Sequence, residues 1–160
     1  MVGLALGLGL SLVKLGENSV PLLLVAVAVI SIVLGMGLPT TGVYLLVALL
    51  AAPPLVKLGV PPLAAHMFVF FFGCLSMITP PVAIAAYAAA NIARVSGWTT
   101  GWVAVVVGWS TFFIPFLFVT EPSMLMNDTA TSIVWNFSRN IFGIFVGTAG
   151  IVGFAFGLLS

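Results

Sequence analysis

Apolar residues run in long blocks along this chain, and the polar or proline-rich interruptions between them divide it into helical passes. Between Glu17 and Lys57 lie 39 uncharged residues, about twice the roughly 20 that one helix needs to cross the hydrocarbon core. That stretch predicts two crossings, or a hairpin that enters and turns back. Lys57 and Arg94 enclose another 36 uncharged residues, broken by prolines at 61, 62, 80 and 81. They predict one interrupted span or a pair of shorter helices, because Pro80 and Pro81 lack amide donors and crowd the preceding turn. Residues 101–120 predict a cleaner span with a kink at Pro115. Residues 141–159 predict a last one, whose Gly143, Gly147, Gly150, Gly153 and Gly157 let a neighbouring helix approach closely. Between these two, "TEPSMLMNDTATS" reads as a surface loop.

Composition turns this pattern into a class. Of 160 residues, 62% are hydrophobic and 4% charged, where a soluble domain carries roughly 25% charged residues. The expected fold is therefore an all-α integral membrane protein, with residues 1–160 forming a single membrane domain. A net charge of +1 leaves no basic patch for nucleic acid. The one cysteine, Cys74, sits in apolar "FFFGCLS" and reads as a small hydrophobe. No basic residue precedes the first apolar run, which argues against a cleaved signal peptide. Counting passes puts Lys14, Lys57 and Arg139 on one side and Arg94 on the other, so the first side is expected to be cytoplasmic.

Two interruptions then stand out by their depth. One is "GMGLPTTG", residues 35–42, and the other is "SMITPP", residues 76–81. Irregular backbone inside a bilayer strands amides and carbonyls unless it is buried in protein or lines a wet cavity. Each break joins glycine or proline to hydroxyls, Thr40 and Thr41 in the first, Ser76 and Thr79 in the second. Broken helices of this kind bind small cations and anionic substrates in secondary transporters. Carbonyls and hydroxyls, here around Gly35, Gly37 and Ile78, can replace the hydration shell of Na⁺ without an acidic residue. Half-helices beginning near Thr41 and after Pro81 would aim positive dipole ends at a carboxylate. The plain alternative is a pair of connecting turns between short helices.

The stretch "LGMGLPTTGVYLLVALLAAPPLVKLGVPPLAAHMFVFFFGCLSMITPPVAIAAYAAANIA" resembles the large membrane subunit of the tripartite ATP-independent periplasmic (TRAP) transporters. "VPPLAAHMFVFFF" and "TPPVAIAAYAAANIA" resemble in particular the fused permeases of the TAXI branch, and the resemblance is clearest over residues 1–125. It implies a bacterial inner-membrane, multi-pass, elevator-type permease in which a helical hairpin and a broken helix build half of an inverted repeat. It also implies a periplasmic substrate-binding protein that delivers a small organic acid, a small membrane subunit, fused or separate, and Na⁺ as the coupling ion with no other cofactor. The substrate and ion site would draw on Gly35, Gly37, Pro39, Thr40, Thr41, Ser76, Ile78, Thr79, Pro80, Pro81 and Asn91, with Na⁺ at Gly35, Gly37, Thr41 and Thr79. Family permeases are much longer, and this chain resembles only their second half. It is therefore expected to be a C-terminal fragment that needs the remaining half of the permease to transport.

Other polar residues carry two readings each. His66 is an ionisable residue within a span, a functional suspect by default, or a neutral structural residue near the interface. Asn91 offers an amide oxygen to the site or caps its helix. Lys14 and Glu17, three residues apart, can pair on a helix end, and Trp98, Trp102 and Trp135 read as interfacial anchors. No metalloprotease, phosphate-loop or Ser/His/Asp pattern is present. A membrane-embedded enzyme is thus disfavoured, and the choice lies between part of a transporter and a non-transporting remnant or assembly partner.

Overall fold

The computed structural model describes residues 2–157, all helices and turns. Helix α1 is Val2–Asn18, α2 Val20–Gly35, α3 Thr40–Leu50, α4 Ala52–Lys57 and α5 Pro62–Leu75. Then come α6 Ile84–Ala93, α7 Gly97–Val107, α8 Trp109–Thr120, a 3-10 turn at Pro122–Leu125, and α9 Ala130–Gly157. Starts follow local chemistry. Ser19 caps α2, its hydroxyl accepting from Leu22 N at 3.5 Å, and Ser96 caps α7 in the same way through Thr99 N. Proline occupies the first turn of α2, α4 and α5, where its missing N–H costs no helical bond.

Helix α5 is the hub, packed against α2, α3, α4 and α8. Leu23, Val27, Val43, Val47, Leu55, Phe68 and Val69 are fully buried there. Phe68, Phe72 and Phe116 stack with ring centroids 4.9–5.6 Å apart and tie α8 to the hub. Ser31, buried in α2, donates to the Val27 carbonyl at 2.7 Å, so its hydroxyl needs no other partner. Helices α2 and α3 form a hairpin around residues 36–39, and α6 and α7 pack on each other as a second pair.

Among the described residues, Thr40–Lys57 is apolar and long enough to cross a membrane. Gly97–Val107 and Trp109–Thr120 pass the same test only when taken together, and they are bent by 46°. The expected kink at Pro115 is thus displaced. Pro115 lies buried inside α8, and the chain bends at Gly108 instead. The last expected span is part of the longer α9, whose residues 141–157 are helical, while residues 158–160 lie outside the described part. Of its glycines, Gly147 makes a close approach, since a Cβ there would lie 2.5 Å from the Trp109 ring, whereas Gly143 faces open space. The polar loop anchors α9: Arg139 pairs with Glu121 at 2.7 Å and Asn136 donates to Ser123 Oγ at 2.9 Å.

Charges collect at the ends. Gly16 abuts Leu58, which brings the Lys14 and Lys57 ends together. Leu125 and Asn127, beside the Glu121–Arg139 pair, share a small cavity with Pro61. Lys14, Lys57 and Arg139 therefore lie toward one end of the bundle. Arg94 caps the far end of α6.

Candidate functional site

Helices α2 and α5 leave the charged end side by side and both stop short. Their 16 and 14 residues rise about 24 and 21 Å, less than the roughly 30 Å of hydrocarbon. Their C-terminal ends then meet. A Cβ on Gly35 would lie 2.7 Å from Ser76 Oγ and 2.9 Å from the Gly73 carbonyl, so only glycine permits this approach. The contact continues through the Thr40 hydroxyl, 3.8 Å from Met77 Sδ. The two breaks, separated in sequence by the 33 residues from 43 to 75, are thus joined in space at Gly35, Ser76, Thr40 and Met77.

The second break rearranges the hydrogen bonding at the end of α5. Ser76 Oγ donates to the Gly73 carbonyl at 2.6 Å, and Thr79 Oγ1 donates to the Leu75 carbonyl at 2.7 Å. Each hydroxyl spends its proton on the end of α5 and keeps its lone pairs for another partner. Ile78 N donates to the Leu75 carbonyl at 3.1 Å. Pro80 and Pro81 have no N–H, so the Ser76 carbonyl loses its helical donor, while the Met77 carbonyl receives Ala85 N at 3.0 Å instead. The Pro80–Pro81 peptide is cis, and the segment ends in Ala83, left-handed at φ 31° and buried.

The expected site residues divide into two groups. Gly35, Ser76 and Pro80 are buried, and Thr40, Ile78 and Thr79 are half-buried. Gly37, Pro39 and Thr41 lie on the exposed hairpin tip, and Pro81 is exposed as well. Asn91 is exposed near the end of α6, and its amide makes no hydrogen bond. Of the four Na⁺ positions expected, then, Gly35 lies at the contact, Thr79 lies three residues beyond Ser76 with its hydroxyl on the Leu75 carbonyl, and Gly37 and Thr41 lie on the tip. His66 meets Tyr44, with Nδ1 and the hydroxyl 3.2 Å apart, in the α3–α5 interface. It has the satisfied surroundings of a structural residue.

Sequence reasoning passed over Gly73, Met77, Tyr87 and Gly108. A Cβ on Gly73 would come within 2.6 Å of Val43 Cγ1, so this glycine lets α3 close on α5. Gly108, at the bend between α7 and α8, lies beside Ile78, and its carbonyl accepts from Thr111 Oγ1 at 2.5 Å. A shared signal was available: "GMGLPTT", "GCLSMIT" and "GWST" each put a hydroxyl a few residues after a glycine at or near a helix end.

Electrostatics follow from the helix ends, since no charged residue lies between Lys57 and Arg94 or between Glu17 and Lys57. The C-termini of α2 and α5 each carry roughly half an elementary negative charge, and they converge. The next two N-termini, of α3 and α6, have Pro39 and Ala83 at their caps, and neither supplies a side-chain acceptor. Among the described residues no three of His, Cys, Asp and Glu come together, so the donors on offer are carbonyls and hydroxyls.

Broken apolar helices that meet end to end in a chain with so few charges suit a membrane transporter component. The family comparison agrees: residues 1–133 match the family described as "Tripartite ATP-independent periplasmic transporter, DctM component". The chain belongs to that family, and it is a transporter component of the inner membrane and not an enzyme. Such components generally work with a periplasmic binding protein and a small membrane subunit. No curated protein and no solved structure matches the chain.

Proposed function

We propose that this chain supplies one half of the ion and substrate site of a Na⁺-coupled importer of small organic acids, of the TAXI type, with the remaining half of the permease enclosing the other side. The observation that carries this reading is the convergence of two helix C-termini, Gly35 against Gly73 and Ser76, at a depth with no charged side chain. Two negative dipole ends facing each other repel, and a small cation between them would offset that repulsion. Hydroxyls with free lone pairs at Ser76 and Thr79 suit an alkali cation, which needs several neutral oxygens. The uncapped N-termini of α3 and α6 would receive the carboxylate of the organic acid. With no Asp or Glu between Glu17 and Glu121, this half has no carboxylate to relay a proton. By the positive-inside rule the end bearing Lys14, Lys57 and Arg139 is the cytoplasmic one.

The test is uptake by the complete permease containing this chain, reconstituted in liposomes with its binding protein. A Na⁺ gradient should drive accumulation of the organic acid in the absence of a pH gradient. Uptake that follows a pH gradient and ignores Na⁺ would overturn the coupling, and no uptake under either gradient would favour a non-transporting remnant.

A further inference from the structure

We propose that Tyr87 is a positioning residue which holds the break between α5 and α6 in one shape and thereby sets the affinity of the ion site; the second part rests on the Na⁺ reading above. Tyr87 lies one turn into α6, a helix otherwise built from Ala and Ile except for Asn91. Its hydroxyl donates to the Pro81 carbonyl at 2.7 Å, bridging back across the break. This bridge matters because the segment can tie itself down in few other ways. Pro80 and Pro81 have no amide hydrogens, and beyond the bonds that tie residues 76–79 back to α5, the segment is held by Ala83 N to the Thr79 carbonyl at 3.2 Å and Ala85 N to the Met77 carbonyl at 3.0 Å. Ala83 sits in the left-handed region, which a residue with a Cβ adopts at a cost, so the surroundings must hold it there.

The same ring also fastens α7 over the break. A Cβ on Gly97 would lie 3.1 Å from Tyr87 Cδ1. One on Gly101 would lie 3.0 Å from Pro80 Cγ, 3.6 Å from Ala83 Cβ and 3.6 Å from Tyr87 Cε1. Two glycines one turn apart on α7 thus form a flat edge that receives the Tyr87 ring and Pro80 together. Hydroxyl and ring act on neighbouring groups, the Pro81 carbonyl and the Pro80 ring. Thr79 immediately precedes Pro80, and its hydroxyl donates to the Leu75 carbonyl at 2.7 Å. In this role Tyr87 acts through Pro81 and Pro80 and not as a ligand. Its part is to fix where the Thr79 oxygens stand, and preorganised donors are what give a site its affinity.

Two readouts on the complete permease, in wild type and Tyr87→Phe, test this. Phenylalanine keeps the ring against Gly97 and Gly101 and removes only the hydroxyl. Hydrogen exchange at the Ala83 and Ala85 amides should quicken in Tyr87→Phe while the Val27 amide in α2 stays protected. The Na⁺ concentration giving half-maximal uptake should rise about fivefold, equivalent to about 1 kcal/mol at 1.4 kcal/mol per tenfold, with the rate at saturating Na⁺ kept. Gly101→Ala, which pushes on Pro80 from the other side, should shift Na⁺ dependence in the same direction. Unchanged exchange at Ala83 and Ala85 would overturn the clasp. Quickened exchange with unchanged half-saturation would overturn its control of ion affinity. Wild-type uptake that ignores Na⁺ would overturn the ion reading instead, and the exchange data would then judge the clasp alone.

Discussion

A methyl group added at Gly35 has nowhere to go, because Ser76 Oγ and the Gly73 carbonyl already occupy the space at 2.7 and 2.9 Å. One of the two obstacles is backbone and the other is a buried side chain, so neither moves aside cheaply. Gly35→Ala should therefore destabilise the protein by about 1–3 kcal/mol, the usual cost of overpacking a core. Gly37 provides the contrast, with φ +83° and no atom within 4 Å of an added Cβ. There the cost is backbone strain alone, about 1 kcal/mol. Thermal unfolding in detergent compares the two variants, and equal or reversed losses would contradict the close contact. Thr79→Val removes the hydroxyl bonded to the Leu75 carbonyl while keeping the side-chain shape. It should weaken the Na⁺ dependence of uptake strongly and leave membrane insertion intact. Thr129→Val, in the exposed loop, should do neither. The role of Gly35 was visible in the sequence because a glycine there interrupts an apolar run. Gly73 and Tyr87 were not, since what they do depends on Val43 and Pro81, which only the fold brings to them.

Elements show a different division. Both breaks were legible because proline cannot continue a helix and because an apolar stretch of 39 residues exceeds one crossing. The bend between α7 and α8 was misplaced for a physical reason. Proline reports a missing hydrogen bond, which a helix can absorb when its neighbours hold it straight, and Pro115 is buried within α8. The chain bends at Gly108, which lies beside Ile78 and whose carbonyl accepts from the Thr111 hydroxyl, and both contacts were hidden from sequence. Pro115→Ala should accordingly leave the 46° angle in place. Spin labels at the exposed positions Val103 and Thr120 would report it as an unchanged distance by pulsed electron resonance. A lengthening toward the about 25 Å of a straight 17-residue rise would assign the bend to the proline after all.

At the scale of the whole molecule, the arrangement sets all seven charges apart from the place where the helix breaks meet. Lys14, Lys57 and Arg139 gather at one end and Arg94 caps the other, so the interior field comes from helix ends and not from side chains. Two of those ends are negative and touch at Gly35 and Ser76. A neutral-oxygen site between them would favour a cation, and it would lose that preference if one of the ends were displaced. Equilibrium binding of radioactive Na⁺ to the complete permease in lipid nanodiscs tests this most directly, because it reads the site without requiring transport. Wild type should bind Na⁺ saturably and resist competition by equal K⁺. Thr79→Val and Gly35→Ala should each lower the affinity by about tenfold or more, while Thr129→Val binds as wild type does. Saturable binding that neither substitution at the breaks alters would contradict the account, and the two breaks would then be turns that merely happen to touch.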